Sequence, residues 1–78
     1  MTKEDRIAFG SYIRGIRHRE GLTQVQLGKL IGKTREYIGC MENGKCYTSK
    51  AYKERLAKVL NTNILILESF NTYRESYD

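Results

Sequence analysis

The apolar positions of this chain fall into short runs of helical period, each fenced by Gly or Asn. Phe9, Ile13 and Ile16 recur at i, i+4 and i+7, with Thr2 and Asp5 placed to cap the start and Gly21 to supply a left-handed stop. This predicts a first helix ending near Glu20. Thr23 followed three residues on by Gln26 makes a capping box, and Leu22 is placed to staple onto Leu27. A second helix is therefore expected from Gln24 to about Ile31, ended by Gly32, where a residue without Cβ turns the chain sharply. Only Lys33 separates that glycine from Thr34, another N-cap, after which Ile38 and Met41 share one helical face until Asn43-Gly44. Ser49 or Thr48 caps a fourth helix with Tyr52, Leu56, Val59 and Leu60 inward, and Asn61-Thr62-Asn63 breaks it before a fifth from about Ile64. Strand signals are almost absent, so the pattern predicts an all-α fold of five helices.

The last apolar run, Ile64-Leu65-Ile66-Leu67, holds more hydrophobic surface than one side of a short helix can bury. Ile64 and Leu67 are expected inside, leaving Leu65 and Ile66 over. Ile66, Phe70, Tyr73 and Tyr77 recur at helical spacing, so helix 5 is expected either to continue as a stripe against a two-fold mate or to end at Asn71-Thr72 with the aromatics folded back. Leu65, Ile66 and Phe70 are the expected dimer interface, within a domain of residues 1–70 followed by a tail of 71–78.

Two helices joined through Gly32 and a very short turn cross steeply, a geometry that can lay the second helix in a DNA major groove. Leu27 is buried in this reading, Gly28 lets the helices touch, and Ile38 and Met41 hold helix 3 in the core. Arg17, Gly21-Leu22-Thr23-Gln24, Leu27, Gly32, Ile38 and Glu42-Asn43-Gly44-Lys45 resemble the helix-turn-helix of the XRE family, which includes phage Cro proteins and lambdoid repressors. Leu56-Ala57, Leu60, Ile64 and Leu67 continue the likeness, which spans about Phe9 to Leu67. Lys33, Gly28, Gly39 and Asn61-Thr62 depart from the family's usual residues. The resemblance implies a compact lambda-repressor-like DNA-binding domain and a transcriptional regulator, in the first place a repressor; since one small module buries too little interface to pick a single site, a homodimer on a palindromic operator is expected. The resemblance also implies that Arg17 and Glu42 form a structural ion pair tying helix 1 to the end of helix 3.

Composition agrees with a polyanionic partner: 14 Lys and Arg against 9 Asp and Glu give a net charge of +5. After Leu67 acidic residues outnumber the single Arg74, so the surplus lies in the body of the domain. The exposed start of helix 3 is where bases would be read, by Thr34, Arg35 and Glu36, with Cys40 and Asn43 further along the same side. Arg35 suits guanine O6 and N7, Glu36 suits cytosine N4, and Cys40 suits a thymine methyl. Gln24, at the start of helix 2, is placed beside a phosphate by helix polarity and by the resemblance. Lys33, and the loop residues Lys45, Tyr47, Thr48, Ser49 and Lys50, supply further cations and hydroxyls for phosphates.

Other chemistry finds little support. His18 is the single histidine, so no convergent catalytic set is expected, and Cys40, Cys46 and His18 lack a zinc spacing. No cofactor, metal or small-molecule ligand is expected. The longest apolar run is far below the roughly 20 residues of a membrane span, and the N-terminus lacks an export pattern, so a cytoplasmic protein with reduced thiols is expected. Cys40 on the reading helix could respond to oxidation, although a small contact residue is the simpler role. The rival class is an antitoxin or adaptor that uses the same fold to bind a protein.

Overall fold

The computed structural model describes residues 1–70; Tyr73, Tyr77 and the segment 71–78 lie outside the described residues. The chain forms α1 (Lys3–Arg19), α2 (Gln24–Ile31), α3 (Arg35–Glu42), α4 (Lys50–Val59) and α5 (Ile64–Glu68), with no strand among the described residues. No described helix is long and apolar enough to cross a membrane.

Side chains already visible in the sequence fix the helix starts. The Thr2 hydroxyl accepts from Asp5 N at 3.1 Å while Asp5 accepts from Thr2 N at 3.0 Å, a reciprocal cap. Thr23 and Gln26 repeat the arrangement at α2, with bonds of 3.1 and 2.8 Å. Thr34 caps α3, Asn63 caps α5, and Ser49, not Thr48, caps α4. Gly32 ends α2 at φ 75°, a conformation that costs glycine little and would strain most other residues.

The core is a single cluster in which Phe9, Ile13, Leu27, Ile31, Ile38, Met41, Leu56, Leu60 and Leu67 are essentially sealed from water. α1 packs against α3 closely enough that a Cβ on Gly10 would overlap the backbone carbonyls of Met41 and Glu42. Gly28 plays a similar part at the turn, where its open side meets the Lys33 carbonyl. Val59, expected inward, is only half-buried.

The end of the domain departs from the continuous stripe. α5 stops at Glu68, with Ser69 as its C-cap, and Phe70 turns back so that its ring lies 6.0 Å from Phe9 and 5.3 Å from Tyr12. The expectation of a helix running on through Phe70 is thereby corrected: three aromatic rings associating within one chain bury apolar area that a longer helix would leave in water. Tyr12 and Thr62 add a hydroxyl-to-hydroxyl bond of 3.0 Å between α1 and the turn before α5. Leu67 is fully buried and Ile64 partly so, whereas Leu65 and Ile66 are 68% and 42% exposed.

Candidate nucleic-acid interface

α3 buries Ile38, Met41 and Glu42 and turns Arg35, Glu36, Cys40 and Asn43 to solvent. Thr34 is exposed at its start, its hydroxyl accepting from Tyr37 N at 3.1 Å. All five residues expected to meet bases therefore lie on the solvent side of one short helix. An exposed arginine and glutamate in its first turn offer donors and an acceptor to base edges.

What holds this helix is a buried charge cluster. Arg17 donates from Nε to Glu42 Oε2 at 2.6 Å and from Nη2 to Oε1 at 3.0 Å, and spends Nη1 on the Leu22 carbonyl at 2.8 Å. The side chains are 8% and 0% exposed, so the pair is desolvated as well as bidentate. Gln24 Nε2 donates to Glu42 Oε1 at 3.1 Å, and Arg14 Nε lies 3.6 Å from the same oxygen. Burial alone would push the Glu42 carboxyl up, but the bonds from Arg17 and Gln24 and the charges of Arg17 and Arg14 outweigh it, leaving its pKa below the ordinary value. One carboxylate thus joins α1, the start of α2 and the end of α3.

Gln24, expected at a phosphate, has one amide hydrogen engaged by Glu42 and retains the other. The start of α2 borders an open groove of about 450 Å³ lined by His18, Gln24, Val25 and Arg35 among others. Arg14, which the sequence reading passed over, donates to Asn43 Oδ1 at 3.0 Å and is half exposed beside the end of α3. Its place three residues before Arg17, on an adjoining face of α1, was the available signal.

Among the loop residues, Lys45, Tyr47, Ser49 and Lys50 are exposed. Thr48 is not: it is 7% exposed, its Oγ1 is sealed from solvent without a hydrogen bond of good geometry, and the Tyr37 hydroxyl is its neighbour. Thr48 as a phosphate contact is therefore corrected, because its hydroxyl faces the domain. Burial raises the pKa of Tyr37, and the nearby Cys46 adds to the shift. Tyr47 carries the Arg6 guanidinium 4.7 Å from its ring centroid, and Arg6 Nε donates to the Gly44 carbonyl at 3.1 Å. Lys33 is half-buried, with Nζ over the rings of Tyr37 and Tyr52. Cys40 is exposed and Cys46 half-buried, both free; burial pushes the Cys46 thiol up. Among the described residues no three of His, Cys, Asp and Glu gather as metal ligands.

A family model described as a helix-turn-helix domain matches residues 8–64, and the chain belongs to that family. It is an XRE-like DNA-binding regulator and not an enzyme. Among solved structures, it is similar to the crystal structure of the restriction-modification controller protein C.AhdI from Aeromonas hydrophila. The TM-score is 0.77 at 32% identity, over 83% of this chain and 94% of that one. No curated protein matches the sequence.

Proposed function

We propose that this protein represses transcription by binding, as a homodimer, a palindromic operator in double-stranded DNA. The observation that carries the reading is the pairing of an exposed Arg35 and Glu36 at the start of α3 with a buried Arg17-Glu42 clamp beneath its end. A rigidly seated helix with free polar groups at its leading end is what direct readout requires. In this reading Thr34, Arg35, Glu36, Cys40 and Asn43 face base edges, and Gln24, Lys45, Tyr47, Ser49 and Lys50 face phosphates. Lys45, Lys50 and the charge surplus of the domain support the second set.

Leu65 and Ile66, apolar and exposed side by side on α5, support the dimer. One module of residues 1–70 presents too little surface to select a single site in a genome, and two-fold pairing doubles the sequence read. The similarity to a restriction-modification controller supports genes of such a system as the regulated targets. Repression follows from occupancy, since a dimer seated on a promoter excludes polymerase.

Selection of bound duplexes from a random pool tests the reading. The expected product is a two-fold symmetric sequence whose half-site centres lie about 34 Å apart on one face of the duplex. Recovery of no enriched sequence, together with a tightly co-purifying protein, would instead favour a protein-binding role.

A further inference from the structure

Lys33 is the single residue between the αL glycine that ends α2 and the threonine that caps α3. Its Nζ lies 4.7 Å from the ring centroid of Tyr37 on α3 and 4.7 Å from that of Tyr52 on α4. The two centroids are 6.2 Å apart with the rings inclined at 49°, so the ammonium occupies the wedge between them. The Arg55 guanidinium stands 5.0 Å from the Tyr52 ring and donates to the carbonyl of Ile31, the last residue of α2, at 3.2 Å. α3 approaches α1 and α2 closely along its backbone but has no comparable approach to α4. Beyond the shared apolar core, the side-chain cluster at Lys33 ties the reading helix to α4.

We infer that Lys33 is a positioning residue: its ammonium, held between Tyr37 and Tyr52, fixes the turn and the start of α3 against α4 and sets the angle at which Arg35 and Glu36 meet the bases. This rests on the DNA-reading role proposed above, and it removes Lys33 from the phosphate contacts. The attraction comes from the negative faces of two rings acting on one partly desolvated cation. A phosphate ligand would have to leave that wedge and surrender both contacts. The roles differ in what they do to binding. A phosphate contact strengthens every duplex alike and adds to the salt dependence, whereas a positioning contact strengthens only the duplex whose bases the helix fits.

The test compares Lys33→Met, Tyr52→Leu and the double variant with Lys45→Met as a phosphate control. Affinity is measured for the duplex selected from a random pool and for poly(dI-dC), each over a range of salt. Lys33→Met is expected to weaken the selected duplex about 3- to 30-fold, with poly(dI-dC) binding and the salt slope unchanged. Tyr52→Leu is expected to do the same, and the double variant to be little worse than either single one. Lys45→Met is expected to weaken both duplexes and flatten the slope by about 0.9. A slope flattened by about 0.9 in Lys33→Met, with both duplexes weakened, would overturn the inference, as would additive losses in the double variant. Thermal unfolding of the wild type, Lys33→Met, Tyr52→Leu and the double variant reads the cage without DNA: non-additivity supports it and additivity overturns it. Should the wild-type protein select no duplex, the operator reading fails while the cage remains measurable.

Discussion

Arg17 and Glu42 face each other across the α1-α3 contact through two hydrogen bonds of 2.6 and 3.0 Å, both side chains almost completely withdrawn from water. The pair links the residue that ends the reading helix to the longest helix of the domain. Removing one partner leaves a buried charge unpaired, a far larger penalty than losing a surface salt bridge. Arg17→Met is expected to destabilise the fold by about 3 kcal/mol or more, read by urea unfolding. A loss no larger than that of an exposed pair such as Arg19-Glu20 would contradict the clamp.

The same pair sets an acid limit. Glu42 has its folded pKa below the ordinary 4.5, so the stability it confers is fully present above that value and is lost as pH falls through the folded pKa. Glu42→Gln has no such proton to bind. The gap in unfolding midpoint between wild type and Glu42→Gln is expected to be widest near neutrality and to close as pH falls from 4.5 through the lowered folded pKa. A gap constant with pH would remove Glu42 from the titration.

Two glycines on α1 are expected to respond in opposite directions to alanine. Each substitution gains about 1 kcal/mol of helix propensity. At Gly15 nothing lies within 4 Å of the added methyl, so Gly15→Ala is expected to stabilise. At Gly10 the methyl overlaps the Met41 and Glu42 carbonyls, and forcing α1 from α3 costs about 1–3 kcal/mol, enough to reverse the sign. Equal effects at the two sites in thermal unfolding would disprove the close approach.

On the dimer, Ile66→Asp places a charge on the exposed apolar face of α5 without touching the core, since Ile66 is 42% exposed. Sedimentation is expected to show monomer, with weaker operator binding at equal protein concentration. An unaltered dimer with unaltered affinity would take α5 out of the interface.

What could be read in the sequence was what is local. Thr2, Thr23 and Thr34 announce their helices because a cap needs only residues within three positions, and Gly32 announces the turn because its backbone angle is its own affair. The seating of Ile38 and Met41 followed from period alone. Gly10 was not legible, because its need for a missing Cβ depends on which carbonyls cross there. Thr48 was misplaced because a hydroxyl in a polar loop carries no mark of facing inward. Phe70 fitted a helical stripe equally well until Phe9 and Tyr12 offered a nearer surface. Lys33 looked like any loop cation, since Tyr52 lies in a different helix.

If the leading end of α3 reads sequence, Arg35 is the side chain whose loss changes what is read. Random-pool selection run in parallel on wild type and Arg35→Ala compares what each protein prefers as well as how tightly it binds. The variant is expected to lose discrimination at one base pair of each half-site and about 1–3 kcal/mol of affinity, keeping the rest of the sequence. Lys45→Ala, run beside it, is expected to bind the wild-type sequence more weakly with a flatter salt slope. If Arg35→Ala selected the same sequence as wild type at every position, the placement of α3 in the major groove would be contradicted.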